Sequence, residues 1–280
     1  MSTHEEETVK DAVRTRYAES AVTKTSCCGS GGSCCARNQT GAPVAASLYD
    51  PAALAALPAD ADLGLGCGDP LAMESLEAGE VVVDLGSGGG IDCFLAARRV
   101  GPTGRVIGVD MTPEMVGLAW ENASRGGFDN VEFVLGEIES LPVDDGTADM
   151  VISNCVINLV PNKQRAFAEA FRATKPGGRL SVSDVVTIGP LPQAVRTSAA
   201  AYVACLGGAS TRDEYLAAIE AAGYTDVRVM SDHAYAADEE ESGAILDAMT
   251  GEQLSDMGDA ELGRVAKLFR SVTVHAVRPA

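Results

Sequence analysis

The middle of the chain alternates short, continuously apolar runs with longer amphipathic stretches. The apolar runs are about as long as strands, and their Val, Ile and Leu content is typical of strands that are buried on both faces of a sheet. Strands are predicted over residues 80–86, 104–110, 131–137, 148–156 and 178–186. Helices are predicted over residues 89–100, 112–127 and 162–178. This alternation predicts a doubly wound, mostly parallel α/β sheet that is covered by helices on both faces.

The segments before this region follow other patterns. Val9, Val13 and Tyr17 recur every four residues, which predicts a helix over residues 4–22 that docks on another part of the protein. Residues 47–66 are rich in Ala and Leu and are also predicted to be helical. The strand–helix alternation therefore begins only at about residue 80 of the chain.

The alternation ends at about residue 188, where the pattern changes again. Helices are predicted over residues 192–206 and 211–222, and alternating strands over residues 224–232 and 271–279. We expect this α+β tail to cap the edge of the sheet where ligands bind. The chain is accordingly divided into an N-terminal helix with a Cys-rich arm (1–46), a cofactor-binding Rossmann-like domain (47–188) and an acceptor-capping region (189–280).

Charge narrows the range of partners. The 280 residues carry a formal net charge of −19, so the electrostatic field of the protein repels phosphate backbones and argues against a nucleic-acid partner. No apolar run approaches the roughly 20 residues of a membrane span, and the charged N-terminus contains no apolar signal core. We therefore expect a cytoplasmic protein without a membrane partner. The acidic, Lys-poor composition fits salt adaptation and an acidic genome bias equally well.

Four of the eight cysteines are clustered in a segment that is otherwise Gly and Ser. The segment reads CCGSGGSCC and holds Cys27, Cys28, Cys34 and Cys35. Gly and Ser keep a chain flexible, and cysteines are expected to stay reduced in a protein without a signal peptide. A structural zinc site is disfavoured because the two vicinal pairs lack the CxxC spacing of common zinc sites. The segment is therefore predicted to be a flexible arm with reactive thiols.

The first strand runs into a glycine-rich turn and then a helix, in the sequence VVVDLGSGGGID. Gly86 and Gly88 allow the backbone to approach a ligand closely, and the helix N-terminus offers free N–H groups. Asp84 lies two residues before the first glycine, and this acidic-x-G-x-G pattern resembles motif I of class I S-adenosylmethionine (SAM) methyltransferases. A carboxylate suits a cationic methionine group, whereas the pyrophosphate of a dinucleotide would be repelled. An NAD-linked enzyme is therefore a distant alternative.

Further landmarks of the same resemblance follow in order. Asp110 ends the second strand, where the acidic residue of these methyltransferases binds the ribose hydroxyls, and Met111 follows at the position that lies on the adenine. Glu137 and Ile138 follow the third strand, where the adenine edge is read. The segment KPGGRL precedes the fifth strand, as is common in these enzymes. The resemblance implies that SAM is the cofactor and methyl donor.

Three cysteines outside the arm are found at a strand end or in glycine-bordered turns. Cys155 follows the fourth strand in SNCVINL, Cys67 belongs to GLGCGDP, and Cys205 belongs to ACLGGAS. Ligands of open parallel sheets bind at the carboxyl ends of the strands, and three thiolates suit a soft, thiophilic centre such as trivalent arsenic. Together with VVVDLGSGGGID, these motifs are similar to those of arsenite methyltransferases, and the similarity extends from about residue 8 through nearly the whole chain.

This resemblance implies a function and a mechanism. Cys155 and Cys205 would bind As(III) as thiolates, with Cys67 as a third ligand in part of the cycle. The arsenic lone pair would attack the SAM methyl group, so no general base and no permanent metal are expected. The substrate would be arsenite or its thiol adducts, and the process would be arsenic detoxification.

Methylation formally oxidises arsenic, so a thiol pair must return two electrons. A fourth functional cysteine from the N-terminal segment would form a disulfide with Cys67, which thioredoxin or glutathione would reduce. The candidates Cys27, Cys28, Cys34 and Cys35 all remain open for this redox role. Cys93, inside the first helix of the cofactor unit, is expected to pack in the core. Asn154 and Asn158 flank Cys155, and backbone hydrogen bonding at a strand end is the expected role of both.

Two alternatives from other classes remain. One is a class I methyltransferase that acts on a carbon or oxygen acceptor, with incidental cysteines. The other is a non-enzymatic metalloid-binding protein, against which the SAM landmarks argue. The number of methyl groups added, the acceptance of antimony and the oligomeric state do not follow from these patterns.

Overall fold

A single seven-stranded sheet organises the part of the chain that the structure describes, which comprises residues 3–24, 49–72, 75–235 and 257–280 of the computed structural model. The strands are β1 (Val81–Leu85), β2 (Arg105–Asp110), β3 (Val131–Leu135), β4 (Ala148–Asn154), β5 (Thr174–Thr187), β6 (Thr225–Ala234) and β7 (Phe269–Val277). Their order across the sheet is β3-β2-β1-β4-β5-β7-β6. Strands β1 to β5 pair in parallel, and β7 pairs antiparallel with both β5 and β6.

Helices flank the sheet at most of the predicted positions. They are α1 (Thr3–Thr23), α2 (Pro51–Ala55), α3 (Ile91–Val100), α4 (Pro113–Gly126), α5 (Lys163–Ala173), α6 (Gln193–Thr197), α7 (Ala199–Val203), α8 (Arg212–Ala221) and α9 (Asp259–Ala266). Two short 3-10 helices cover Ala59–Ala61 and Ile157–Leu159. The predicted mostly parallel α/β class is therefore confirmed, and the tail strands β6 and β7 extend the sheet beyond β5.

The strand order reverses next to β1, because β1 pairs with β2 on one side and with β4 on the other. In open parallel sheets this reversal leaves a crevice at the carboxyl ends of the strands, where ligands bind. Apolar side chains fill both faces of the sheet. Phe94 stacks on Phe128 with ring centroids 4.5 Å apart on one face, and Phe167 meets Tyr215 edge-on at 5.3 Å on the other.

Three predicted helices are wrong in extent. The helix predicted over residues 162–178 ends at Ala173, and residues 174–178 belong to β5. Within the predicted helix 47–66, the described residues 49–66 form only the five-residue α2 and a 3-10 turn, because Pro58 lacks an N–H and restricts the residue before it. Residues 192–206 form two short helices instead of one. Ser198 separates them with an extended backbone, and its side chain accepts a hydrogen bond from Ala201 N as an N-cap.

The N-terminal helix extends over Thr3–Thr23, in agreement with its apolar spacing. Val13 is buried at 1% exposure, and α1 contacts both α4 and α7. The predicted redox cysteines Cys27, Cys28, Cys34 and Cys35 lie outside the described residues. No helix within the described ranges is long and apolar enough to cross a bilayer.

Candidate active site

The glycine-rich turn after β1 adopts a backbone that other residues would strain. Gly86 has a φ of +73° and Gly88 a φ of +51°, which is the left-handed region that glycine enters at little cost. A Cβ on Gly86 would lie 2.5 Å from a methyl carbon of Val156. The N–H of Gly88 donates to Asp110 Oδ2 at 3.0 Å, and Thr112 N donates to the other carboxylate oxygen at 2.9 Å. The turn is thus fastened to the end of β2.

A cavity opens at the carboxyl ends of β1, β2 and β4, with about 1080 Å³ of empty space when its open mouth is included. The predicted cofactor residues on its wall are Gly86, Gly88, Asp110, Met111, Glu137 and Ile138. Its acidic wall residues are Asp62, Asp92, Asp110, Glu137 and Glu139, whereas Lys10 is the basic residue among the described wall residues. Such a wall favours a cationic ligand.

Asp84 lies below the wall and not on it. Its side chain is 2% exposed and accepts a hydrogen bond from Cys93 Sγ at 3.1 Å. Burial raises the pKa of Asp84 well above its usual range, and the nearby charge of Asp92 adds to the increase. Cys93 is fully buried, which agrees with its expected packing role, and it also binds a carboxylate.

Asp92 is the carboxylate that reaches the cavity beside the glycine turn, and the sequence interpretation missed it. It accepts hydrogen bonds from Tyr49 OH at 2.8 Å and from Asn154 Nδ2 at 3.1 Å. Burial raises the pKa of Asp92 to about 7, although these two hydrogen bonds oppose the increase. Its place in the first turn of a helix that follows a glycine-rich loop was the available signal.

Ser87 provides a test of whether the cavity fits a polar cofactor. Its side chain lines the cavity and is 6% exposed, and its Oγ has no hydrogen-bond partner among the described residues. A buried hydroxyl without a partner costs free energy unless a ligand or water satisfies it. The free Cβ position of Gly88, which has no heavy atom within 4 Å, leaves further room beside it. These features fit a polar, cationic cofactor such as SAM.

Helix α1 covers the cavity from the side of Glu137 and Glu139. Lys10 Nζ lies 2.7 Å from Glu137 Oε2 and 2.5 Å from Glu139 Oε2. Burial lowers the pKa of Lys10, but its hydrogen bonds to the two glutamates outweigh burial and raise the pKa overall. Val13 and Tyr17, on the same helix, also line the cavity and pack against the cysteine cluster described next. One helix therefore contacts both parts of the site.

The three predicted cysteines meet at the end of the cavity beside β4. Cys155 lies on the cavity wall, and Cys205 Sγ donates to Cys155 O at 3.1 Å. Cys67 Sγ lies within 4.8 Å of Cys155 Sγ and donates to Ser183 O at 3.7 Å. Their exposures are 4% to 6%. Residues that are separated by 138 positions in the sequence are therefore brought into one buried cluster of thiols.

Two of these cysteines have strained backbones. Cys155 has a φ of +58° and Cys205 a φ of +63°. Non-glycine residues in this region cost of order 1–3 kcal/mol each and concentrate at functional sites. The Cys155 N–H donates to Ser183 O at 2.8 Å, so contacts with β5 help to hold this conformation.

Burial and hydrogen bonding raise the pKa of two thiols in the cluster, Cys155 and Cys205. The hydrogen bond from Cys205 lowers the pKa of Cys155, but the hydrogen bond to Cys67 and burial outweigh it and raise the pKa well above the usual range. The hydrogen bond to Cys155 and burial raise the pKa of Cys205 in the same way. Coordination to a thiophilic centre would drive deprotonation of these thiols despite their raised pKa values.

Asp184 on β5 is a second acidic residue that the sequence interpretation missed. One of its carboxylate oxygens lies within 4.8 Å of both Cys67 Sγ and Cys155 Sγ. Oδ1 accepts from Asn158 Nδ2 at 2.8 Å, and Oδ2 accepts from Tyr215 OH at 3.2 Å. Burial raises the pKa of Asp184 to about 6. Its strand SVSDVV resembles any buried strand, so no sequence signal marked it.

Asn154 links the cysteine cluster to the cavity, and its role is larger than the expected backbone capping. Its Oδ1 accepts from Cys67 N at 3.1 Å, and its Nδ2 donates to Gly68 O at 2.8 Å and Tyr49 OH at 2.7 Å. Together with the contact to Asp92, these bonds fix the Cys67 turn against the cofactor side. Asn158 instead binds Asp184 and the main chain of β5.

An open, mostly parallel sheet with a glycine turn and a cavity at its reversal point is the arrangement of the class I methyltransferase fold. A family model described as a methyltransferase domain matches residues 76–223, just over half of the chain. A crystal structure of an arsenic(III) S-adenosylmethionine methyltransferase from Chlamydomonas reinhardtii has a TM-score of 0.62 and 31% identity, and the match covers 83% of this chain and 75% of that one.

Curated relatives agree with this assignment. The chain is 47% identical over 230 residues to an arsenite methyltransferase of Halobacterium salinarum and 40% identical over 198 residues to one of Aquipseudomonas alcaligenes. These matches cover 80% and 68% of this chain, and 59% and 54% of the relatives. The chain therefore spans less than two thirds of the length of these two relatives. It belongs to the arsenite methyltransferase family.

Proposed function

We propose that this protein binds SAM in the acidic cavity and methylates trivalent arsenic that is held by its cysteine thiols. One observation carries the proposal, namely the meeting of Cys67, Cys155 and Cys205 at the end of the cavity. Family membership supports the same reaction. An acceptor of carbon or oxygen type would not account for three buried thiols at this place, two of them with strained backbones.

The cavity residues would bind and orient the cofactor. Asp110 keeps acceptor capacity for ribose hydroxyls beyond its two backbone hydrogen bonds. Met111 and Ile138 supply apolar wall for the adenine, and the acidic wall offsets the positive charge of the methionine end. When bound, SAM supplies an electrophilic methyl group on a sulfonium. The described residues contribute position, charge and exclusion of water, which are effective because orientation alone lowers barriers substantially.

Arsenite would enter by exchange of oxygen for sulfur. Each As–O bond that breaks is replaced by an As–S bond, and the thiol proton leaves with the hydroxide as water. Cys155 is the thiol on the cavity wall, so it presents arsenic to the cofactor side, while Cys205 and Cys67 complete the sulfur ligands. Val13 and Leu206 are at most 2% exposed beside them and exclude water from the bound centre.

Transfer of a methyl group to the arsenic lone pair raises its formal oxidation state by two. A pair of thiols would return the two electrons and become a disulfide, and Cys67 is the proposed partner from the described cluster. The other partner would come from the candidates Cys27, Cys28, Cys34 and Cys35. Thioredoxin or glutathione would reduce the disulfide, which is consistent with a role of the protein in the reducing cytoplasm.

The test is incubation of the folded protein with arsenite, SAM and glutathione, followed by mass detection of methylated arsenic and S-adenosylhomocysteine. We expect both products to appear in equal amounts for each methyl group that is transferred. Formation of S-adenosylhomocysteine without methylated arsenic would indicate another acceptor. Binding of arsenite without any turnover of SAM would indicate a metalloid-binding protein, and either result would overturn the proposal.

A further inference from the structure

The ligand atoms around Cys67 and Cys155 form a second set that differs from the three thiols. Cys67 Sγ, Cys155 Sγ and a carboxylate oxygen of Asp184 all lie within 4.8 Å of one another, and all three residues are buried. Cys205 is not part of this set; its thiol donates to Cys155 O at 3.1 Å and lies 3.8 Å from Tyr17 OH. Cys67 and Cys155 can therefore be completed as a ligand set either by the sulfur of Cys205 or by the carboxylate of Asp184.

Asp184 is held in place by donors that leave it free to bind a cation. Oδ1 accepts from Asn158 Nδ2 and from Val185 N at 2.9 Å, and Oδ2 accepts from Tyr215 OH. A carboxylate has about four acceptor positions, so capacity remains on Oδ2. Hydrogen bonds from surrounding residues that orient a carboxylate are the usual support of metal ligands.

The two ligand sets suit different elements. Trivalent arsenic carries a lone pair and takes a pyramid of sulfurs, whereas Zn²⁺ prefers a tetrahedron and accepts Cys sulfur together with Asp oxygen. With Zn–S bonds of about 2.3 Å and Zn–O bonds of about 2.0 Å, tetrahedral ligand atoms lie roughly 3.5 Å apart. The three observed ligand atoms lie within 4.8 Å of one another, so small side-chain rotations would be enough to place them around an ion.

We infer that Cys67, Cys155 and Asp184 form a binding site for a thiophilic divalent cation of the Zn²⁺ type. Binding forms two Zn–S bonds and one Zn–O bond, and the two thiol protons pass to the solvent. The fourth position is left to water. Because Cys67 and Cys155 belong to both sets, the cation and arsenic exclude each other, and such cations inhibit arsenic methylation.

The binding experiment uses the full chain with the four arm cysteines changed to serine, which removes their thiols as competing ligands. The changes are Cys27→Ser, Cys28→Ser, Cys34→Ser and Cys35→Ser. Calorimetric titration with Zn²⁺ is expected to give one site per chain. Asp184→Asn should weaken Zn²⁺ binding at least about tenfold, whereas Cys205→Ser should change it less than about threefold. Asp129→Asn, a change at an exposed residue, is the matched control.

Cobalt provides a readout that does not depend on any variant of the ligands. Co²⁺ bound in the same background protein should show absorption bands of tetrahedral geometry with the intensity of two thiolates. The inference would be overturned by Co²⁺ bands with the intensity of three thiolates or by a failure to bind Zn²⁺ or Co²⁺. It would also be overturned if Cys205→Ser weakened binding while Asp184→Asn had no effect.

Competition with arsenite is a separate experiment, and its interpretation rests on the proposed function. Arsenite should displace Co²⁺ and bleach its bands in the background protein, and Cys205→Ser should raise the arsenite concentration that is needed. Displacement that fails while Co²⁺ binds as expected would contradict the proposed arsenic site and leave the cation site standing. If arsenite displaces Co²⁺ but the Co²⁺ bands indicate three thiolates, the proposed arsenic site would stand and the cation site with Asp184 would be wrong.

Discussion

The cofactor side and the acceptor side of the site use the same backbone conformation in two different ways. On the cofactor side, Gly86 and Gly88 adopt positive φ without a side chain to strain. On the acceptor side, Cys155 and Cys205 adopt it with a thiol attached. On the cofactor side, the positive φ follows from the residue type, glycine. On the acceptor side, surrounding residues hold the cysteines at a positive φ that their residue type disfavours.

The contacts of the glycine turn and of the Cys67 turn also differ in how far apart the contacting residues lie in the sequence. The glycine turn binds Asp110, 22 positions away from Gly88. The thiol of Cys67 binds Ser183 O, 116 positions away, and the carbonyl of Cys67 accepts from Ser271 Oγ, 204 positions away. The Cys67 turn is therefore held by more distant parts of the chain than the glycine turn is, and its geometry should be more sensitive to distant changes.

The largest effect is expected from Cys155→Ser, which removes the thiol that faces the cavity. We expect arsenic methylation to fall about a hundredfold or more, because a misplaced acceptor loses most of the benefit of orientation. Binding of SAM should stay close to that of the wild type. The measurement is a single-turnover assay of methylated arsenic together with a SAM titration.

Cys93→Ser is the matched control for that prediction. Cys93 is buried like Cys155, but it donates to Asp84 and lies away from the thiol cluster, and serine retains a donor. Methylation within about tenfold of the wild type is expected after this change. An equal loss from both variants would show that buried thiols in general are needed for the fold, and the distinction between the two sides would fail.

The next largest effect is expected from Asp110→Asn, which should weaken SAM binding on the cofactor side. The carboxylate binds Gly88 N and Thr112 N, and charged hydrogen bonds contribute about 1.5–3 kcal/mol each. We expect SAM affinity to fall about ten- to a hundredfold, while arsenite binding by the thiols is unchanged. Calorimetry with each ligand separately measures both, and Asp129→Asn on the surface serves as the control. Equal weakening of the two ligands would contradict the independence of the sides.

A smaller effect that crosses between the sides is expected from Asn154→Ala. This change removes the hydrogen bonds that fix the Cys67 turn to Tyr49 and Asp92. With about 1 kcal/mol per bond, arsenite binding should weaken about tenfold. Calorimetric titration with arsenite measures this loss, and a titration with SAM shows whether the cofactor side is affected as well. Asn154→Asp should be at least as harmful, because it places a carboxylate beside Asp92.

The smallest effect concerns the dependence of stability on pH. Burial raises the pKa of Asp92 to about 7, above the usual value of about 4. Between these values the folded protein binds more protons than the unfolded chain, so the free energy of unfolding falls as the pH rises. Asp69, Arg99 and Asp84 act on the same group. Asp92→Asn should therefore flatten the decrease between about pH 4 and pH 7.

Urea unfolding of the wild type and of Asp92→Asn at several pH values measures this slope. Part of the decrease should persist in the variant, because burial also raises the pKa of Asp84. Identical slopes in the two proteins would mean that Asp92 is not the buried acid described above.

Sequence interpretation succeeded where a pattern is local. The apolar runs and the glycine turn predicted β1 to β5 within a few residues, because burial on both faces of a sheet leaves a continuous apolar signal. It failed at residues 47–66, where an Ala-rich composition favoured a helix and Pro58 prevented one. It also missed Asp184, because the sequence of an apolar strand does not indicate which side chains from other segments will lie beside its carboxylate.

The sequence by itself determined the class of fold, the glycine turn and the identity of the three cysteines, since each is encoded by residues close together in the chain. Only the tertiary structure decided which atoms meet. It placed Asp92 on the cavity wall instead of Asp84, and it brought Asp184 beside Cys67 and Cys155. The physical reason is that side-chain neighbours across strands and turns depend on register and packing of the whole sheet, which no local pattern contains.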